Sequence, residues 1–412
     1  MIKKVLFLTS SYPFGKGESF INPELNTLSK SAELIVMPIY PRGVFKEDKV
    51  NNNIDYWNLR LFSFKYLLPF LIFAIFHPKL LLKLISHCID KSFLKTLRNI
   101  ILIPKNIFVF NKIKNLDIDF IYAHWLSAPS QFALLLHLIT NIPFGITGHR
   151  WDLIDANNFD LKFKYAKFIR LISRKSTSLL PKTIQKKYNE KIHNIYLGIP
   201  ILNKPRKEIK NSDNYMRLLC IGNLIPVKGH QYLISAIDEL HRRGYKVFLD
   251  LIGSGDLESE IKNQIIDLQL KDYINVLGYM AHSEVQNKLK SGKYNLYCQP
   301  SLDLGNGSHE GIPVSLMEAM SVGIPCIATN TGSISELIIN CATGLLVEDK
   351  NSTALAEAIQ RLLTEENLSN TLIENAFKKV STDFNQEINN QNLAKLMTSR
   401  DDCEGSNIIS PF

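Results

Sequence analysis

From 217 to 364 the chain alternates between short apolar runs and longer stretches whose apolar residues recur every three or four positions. This beat constrains the fold more than any other feature. The runs 217–222, 246–252, 275–277, 294–298, 325–329 and 345–347 read as strands. The stretches 230–243, 257–268, 282–290, the one after Pro313, a short one near 333–338 and 352–364 read as helices. In 230–243, Leu233, Ile234, Ile237 and Leu240 form one stripe, His241, Arg242 and Arg243 fill the last turn, and Gly244 ends it. Strands separated by helices in this way imply a parallel sheet covered on both faces. The first half alternates less regularly, with strands expected at 4–9, 33–38, 120–123, 143–147, 177–180 and 192–197. The segment 200–215 is polar, holds two prolines and reads as a linker. The expectation is an α/β protein of two Rossmann-like, doubly wound domains, 1–199 and 216–380, facing across a cleft at their strand C-termini. Residues 381–412 are expected to add a helix, with a loose tail from about Thr398.

The formal charge of +9 suggests an anionic partner, such as a phosphate-rich ligand or a membrane surface. The six cysteines are scattered without a CxxC pair, four of them in apolar strand or strand-edge contexts, which supports neither a zinc site nor a disulfide framework. A reducing compartment is the simple inference. The apolar run at 5–8 is too short for a signal peptide, and 66–76, broken by Pro69 and closed by His77-Pro78, is too short to span a bilayer.

One stretch carries a ligand's outline. Glu310 and Glu318 stand eight positions apart around a helix start, with Gly311, Ile312 and Pro313 between them. Pro313 suits the first helical position, and the amides of Gly311 and Ile312 lie at an end that favours phosphate. Glu318 would follow about 7.5 Å along the axis, where a carboxylate can accept hydrogen bonds from sugar hydroxyls. A nucleotide diphosphate sugar satisfies both halves. The plainer alternative is a helix-end charge and a solvated face.

Five segments in order extend this: SYPFGKGESFINPE at 11–24, ITGHRWD at 146–152, IGNLIPVKGH at 221–230, LIGSGDLESEI at 251–261 and EGIPVSLMEAM at 310–320. With them the chain resembles the family 4 glycosyltransferases of the two-domain GT-B type, over most of its length. The last segment matches that family's E-x7-E signature. The resemblance implies retention of anomeric configuration and no metal or other cofactor. By the same likeness Glu310 would contact the donor sugar, Glu318 the ribose hydroxyls, and Gly311 and Ile312 the phosphates. Lys228 would neutralise the diphosphate as the sugar bond breaks, unless it is an ordinary loop lysine. The family pattern has an Arg five positions before this lysine; here Asn223 stands instead, which removes one cation from the donor site.

His149 matches a family histidine at the donor sugar, although a lone His at a strand end is commonly structural. His124, one strand earlier, is read as non-catalytic. Gly15 and Gly17 would let the backbone approach a diphosphate closely, or merely form a turn. Glu18 and Glu24 are candidates for acceptor hydroxyls. Gly253 and Gly255 are explained by a turn, and Asp117-Ile118-Asp119, a DxD that imitates a metal motif, only precedes a strand.

Between 60 and 114 there are ten Lys or Arg residues against one acid, Asp90, interleaved with Phe, Leu and Ile. That pattern suits contact with an anionic membrane; a buried helical insert with lysines pointing to water is the alternative. Nucleic acid is disfavoured, since no binding motif accompanies the charge. The expected activity is hexose transfer from a nucleotide diphosphate sugar to a lipid-linked or oligosaccharide acceptor in surface polysaccharide or lipopolysaccharide synthesis. It would take place in the cytoplasm, at the inner face of the membrane. The rivals are a nucleotide-sugar epimerase on the same architecture and a non-catalytic nucleotide-sugar-binding protein, the latter favoured by Asn223.

Overall fold

The computed structural model describes residues 2–15, 18–43, 53–155, 157–201, 215–305, 307–365 and 367–398. The chain forms two compact units, one of residues 1–172, 176–196 and 387–412, the other of 173–175 and 197–386. Most of the expected linker (202–214), Gly17, Cys403 and the tail beyond Thr398 lie outside the described residues.

The first unit is built on a seven-stranded parallel sheet. Its strands are β1 (Lys4–Thr9), β2 (Glu33–Pro38), β3 (Ile54–Tyr56), β4 (Phe120–Ala123), β5 (Phe144–Gly148), β6 (Phe168–Leu171) and β7 (Ile192–Asn194). Their order, β3-β2-β1-β4-β5-β6-β7, reverses direction between β1 and β4, the switch point at which such sheets open a binding crevice. β1 shows why its residues make a central strand. Leu6 and Leu8 enter one core with the apolar helix Ala128–Thr140, and Val5 and Phe7 enter the other, so both faces are buried.

The second face is closed by a helix that comes after the whole second unit in the chain. Helix Gln386–Thr398 sends Leu393 and Met397 into the core of Phe7, Phe120 and Phe168. It is pinned by Asn390 Nδ2 donating to Pro23 O (3.2 Å) and by Lys167 Nζ donating to Met397 O (3.3 Å).

The basic and apolar stretch folds as four helices, Leu67–Phe76, Pro78–Ser86, Phe93–Ile100 and Ile103–Ile113. Its root is Lys105. This side chain is fully buried, and its ammonium donates to the carbonyls of Pro38 (2.9 Å), Ile39 (2.9 Å) and Leu59 (2.7 Å). Burial draws its pKa down to about 7, and the three carbonyls take its three protons.

The second unit carries a six-stranded parallel sheet ordered β10-β9-β8-β11-β12-β13. The strands are β8 (Tyr215–Ile221), β9 (Lys246–Ile252), β10 (Ile274–Val276), β11 (Leu296–Gln299), β12 (Cys326–Thr329) and β13 (Leu345–Val347). The stripe Leu233, Ile234, Ile237 and Leu240 of helix His230–Arg242 is buried in its core, as its spacing requires.

Three expectations need correcting. Residues expected as a strand at 177–180 instead form the end of a short helix, Lys175–Ser178, and the turn after it; the strand beside β5 is β6, concealed in the sequence by Arg170 at its centre. Pro313 is the N-cap rather than the first helical residue, because its ψ of 128° is extended and helix Val314–Ser321 starts after it. Of the five cysteines among the described residues, Cys220, Cys298 and Cys326 lie in strands, whereas Cys88 is buried in a turn and Cys341 exposed in one.

Candidate active site

In the second unit the loop after β8 is shaped by glycine contacts. Gly253 has φ +147°, and a Cβ there would lie 1.9 Å from Gly222 O. A Cβ on Gly255 would lie 2.5 Å from Leu224 O. The two glycines therefore let the loops after β8 and β9 lie against each other, a packing role that needs no ligand. The same loop then turns through Pro226–Lys228, and Lys228 folds back over Gly222, whose added Cβ would come within 3.2 Å of its side-chain carbons.

Lys228 Nζ ends 2.6 Å from Glu310 Oε2, with both side chains under one-fifth exposed. Glu310 is held from behind: Gly332, at φ +50°, passes so close that a Cβ would meet Glu310 O at 1.8 Å. The amides of Gly311 and Ile312 follow, half-buried and with no acceptor among the described residues. Helix Val314–Ser321 then carries Ser315, which accepts from Tyr297 Oη (2.7 Å), and buried Glu318. Thus a cation, two available amides and a carboxylate, all expected from the sequence to bind one donor, occur on one short stretch of surface. Asn223 is exposed beside them and adds no charge.

The structure adds a residue that sequence reasoning missed. His282, exposed on helix His282–Lys290, holds Glu318 Oε1 at 2.8 Å through Nε2. The two line a cavity of about 240 Å³ with Gln286, Lys290, Ile199 and Pro200. The contact spans 36 positions, and nothing local in the sequence announces it.

In the first unit, His124 and His149 follow β4 and β5, the strands next to the switch point. His149 stacks on Trp125 (4.1 Å between rings), and its amide donates to Asp152 Oδ2 (3.2 Å). Burial first, then the fields of His124 and Arg170, pull its pKa well below the usual histidine value, so the ring is neutral. Its Nε2 is buried and finds no hydrogen-bond partner among the described residues. Asp152 also accepts from Leu126 N (3.0 Å), and buried Lys162 donates to Leu126 O (2.7 Å) and Ser127 O (3.1 Å). These two residues, also missed from sequence, fix the loop that bears Trp125.

The expected acceptor-binding carboxylates are already engaged. Glu18 accepts from Ser11 N (2.7 Å), Ser11 Oγ (2.8 Å), Tyr12 N (2.6 Å) and Trp125 Nε1. Gly15 serves that turn, because a Cβ on it would lie 2.4 Å from Ser11 Oγ. Glu24 is buried between Arg170 Nη1 (2.6 Å) and His124 Nδ1 (3.0 Å). Burial alone would raise its pKa, but those two partners outweigh burial and bring it down to about 2. Asp119 of the DxD takes the amides of Lys3 (2.6 Å) and Lys4 (2.9 Å), at the N-terminal ends of the neighbouring central strands β1 and β4.

The two parallel-sheet units have counterparts among known proteins. Residues 203–379 match the family model described as glycosyl transferases group 1. The amylovoran biosynthesis glycosyltransferase AmsK of Erwinia amylovora is 34% identical over 182 residues, which is 44% of this chain and 44% of that protein. The chain thus spans about half the length of the first curated relatives it matches. A glycosyltransferase of Methanocaldococcus jannaschii is 31% identical over 280 residues, 67% of this chain and 74% of that one. Among solved structures, HepE of Anabaena in complex with UDP has a TM-score of 0.71 at 20% identity, covering 96% of this chain and 99% of its own. Its fold is the same pair of Rossmann-like domains. The chain belongs to the group 1 glycosyl transferases.

Proposed function

We propose that this glycosyltransferase moves a hexose, with retention of configuration, from a nucleotide diphosphate sugar to a lipid-linked or oligosaccharide acceptor. The product would be a surface polysaccharide or lipopolysaccharide precursor, made at the inner face of the cytoplasmic membrane. The observation that carries the reading is the Lys228–Glu310 pair beside the available amides of Gly311 and Ile312. Diphosphate oxygens on those amides would draw the Lys228 ammonium from Glu310, which frees that carboxylate for the sugar hydroxyls. As the sugar–phosphate bond breaks, charge grows on the leaving oxygen, and a fixed cation with two amides lowers the barrier there. Glu318, oriented by His282, accepts from the ribose hydroxyls. Neutral His149 is assigned to the donor sugar as a hydrogen-bonding group without charge. The acceptor hydroxyl would pass its proton to the donor's own phosphate oxygen. HepE is solved with UDP and UDP-glucose, and AmsK is named for polysaccharide synthesis, which support the donor and product classes.

The test is a thermal-shift and hydrolysis screen of UDP-, GDP-, ADP- and dTDP-sugars on wild type and Glu318→Ala. One donor should raise the melting temperature and be slowly hydrolysed, and Glu318→Ala should weaken its binding by about tenfold, the loss of one or two hydrogen bonds to a charged group. A shift without hydrolysis or transfer would favour the non-catalytic reading that Asn223 suggests. No shift with any donor would defeat the donor assignment.

A further inference from the structure

Among the described residues the exposed apolar side chains are densest between Phe62 and Leu97, and one helix there carries more of them than any other. Leu67–Phe76 contains no charged residue. Tyr66, just before it, and Phe73 turn inward; Tyr66 lies 4.8 Å from Phe108, and Phe73 lies 6.5 Å from Phe110, both on helix Ile103–Ile113. The opposite side presents Phe64, Leu68, Leu71, Ile72, Ile75 and Phe76, with Phe64 97% exposed and Ile75 and Phe76 72% each. Their spacing is that of a single helix face. An outward face on a water-soluble domain normally carries charges, whereas this helix is apolar on both sides.

The surrounding charge has one sign. Between Asp55 and Asp90 there is no acid, and Arg60, Lys65, Lys79 and Lys83 are the cations. Lys65 precedes the helix and Lys79 and Lys83 follow it on Pro78–Ser86, all three exposed. The chain bends by 109° between the two helices. No single helix among the described residues is long and apolar enough to cross a membrane. At ten residues, Leu67–Phe76 is about 15 Å long, half the hydrocarbon thickness of a bilayer, so it suits lying along the interface.

We propose that the outer face of Leu67–Phe76 is a lipid-docking surface that seats the first unit on an anionic bilayer. Its apolar side chains enter the acyl boundary while Lys65, Lys79 and Lys83 remain at headgroup level. A second copy of the chain fits this face less well, because a two-fold contact would set the same cations against each other, and the stretch between Asp55 and Asp90 holds no acid to pair them. The proposal deepens the membrane-side reading above and rests on it for its use in sugar transfer, but the contact itself can be tested alone.

The experiment is flotation of the full chain with vesicles of phosphatidylcholine, with and without phosphatidylglycerol. It compares wild type with Leu71→Glu/Ile75→Glu, Lys79→Glu/Lys83→Glu and the control Ile266→Glu, an exposed apolar position elsewhere. Wild type and control should float with the anionic vesicles and release at high salt. The apolar double variant should bind about tenfold less or weaker still, and the charge variant should lose its preference for anionic lipid. Wild type that fails to float, or an apolar variant that floats as well, overturns the proposal. A lipid-free dimer dispersed by the apolar variant would also overturn it and assign the face to a second copy. A donor thermal shift retained in Leu71→Glu/Ile75→Glu shows that the variant is folded. Flotation without any donor shift in wild type would sink the sugar-transfer reading and leave this one standing.

Discussion

Glu24 and Arg170 show how far a residue's role depends on what the chain brings to it from elsewhere. Glu24 read as a candidate for acceptor hydroxyls, and Arg170 stands in an otherwise apolar run that the pattern did not mark as a strand. Each explains the other once β6 lies in the sheet: the ion pair links positions 146 apart, so no local pattern could reveal it. Glu24→Gln should cost about 3–5 kcal/mol in urea unfolding at neutral pH, because it leaves the Arg170 charge buried without its partner. The acid dependence follows from the same contact. Glu24 has a folded pKa of about 2 against 4.5 unfolded, so its contribution is complete above pH 4.5 and disappears as the pH falls toward 2. His230, buried at a helix start beside Lys228, is held down to about 4 against 6.5, so the unfolded chain takes up its proton first. The part of the stability that rests on His230 should therefore fall below pH 6.5, and a second decline, below pH 4.5, should be absent from Glu24→Gln. Glu310 and Glu318 were legible because their spacing around a helix start is local. His282 and Asp152, which act through the fold, were not.

At the scale of elements, legibility follows burial. The second unit's strands are apolar and its helices amphipathic, so their order could be read directly and their ends fell within a few residues of expectation. β3 was missed because it carries exposed Asp55 at its centre and follows a polar Asn run, and Arg170 concealed β6. The loops after β8 and β9 act as a pair because backbone passes against backbone at Gly222 and Gly253. Gly253→Ala would combine a strained φ with a collision, and it should cost about 2 kcal/mol or more. Because Lys228 rests on Gly222, the variant should also lose part of the donor-induced thermal shift, and a variant that melts early but binds normally would uncouple the loop from the site.

For the whole molecule, the division into units does not follow the order of the chain. Leu393 and Met397 belong to the core of the first unit, although they come after the entire second unit. Removing residues from 386 onward should strip about 3–6 kcal/mol of apolar burial from that core. Hydrogen exchange should then show lost protection in β1 and β4 and unchanged protection in β8 and β9; uniform loss would mean that the two units unfold together.

That returning helix also bears on how the protein is made. A nascent chain normally completes its first domain while the next is still being synthesised. Here the first unit's sheet, made before the second unit, must keep the face around Phe7, Phe120 and Phe168 unsealed until helix Gln386–Thr398 has been joined. At about 5–20 residues per second, the 190 or so residues between β7 and the closing helix correspond to roughly 10–40 seconds of synthesis. During that interval the first-made half is the one most in need of a chaperone.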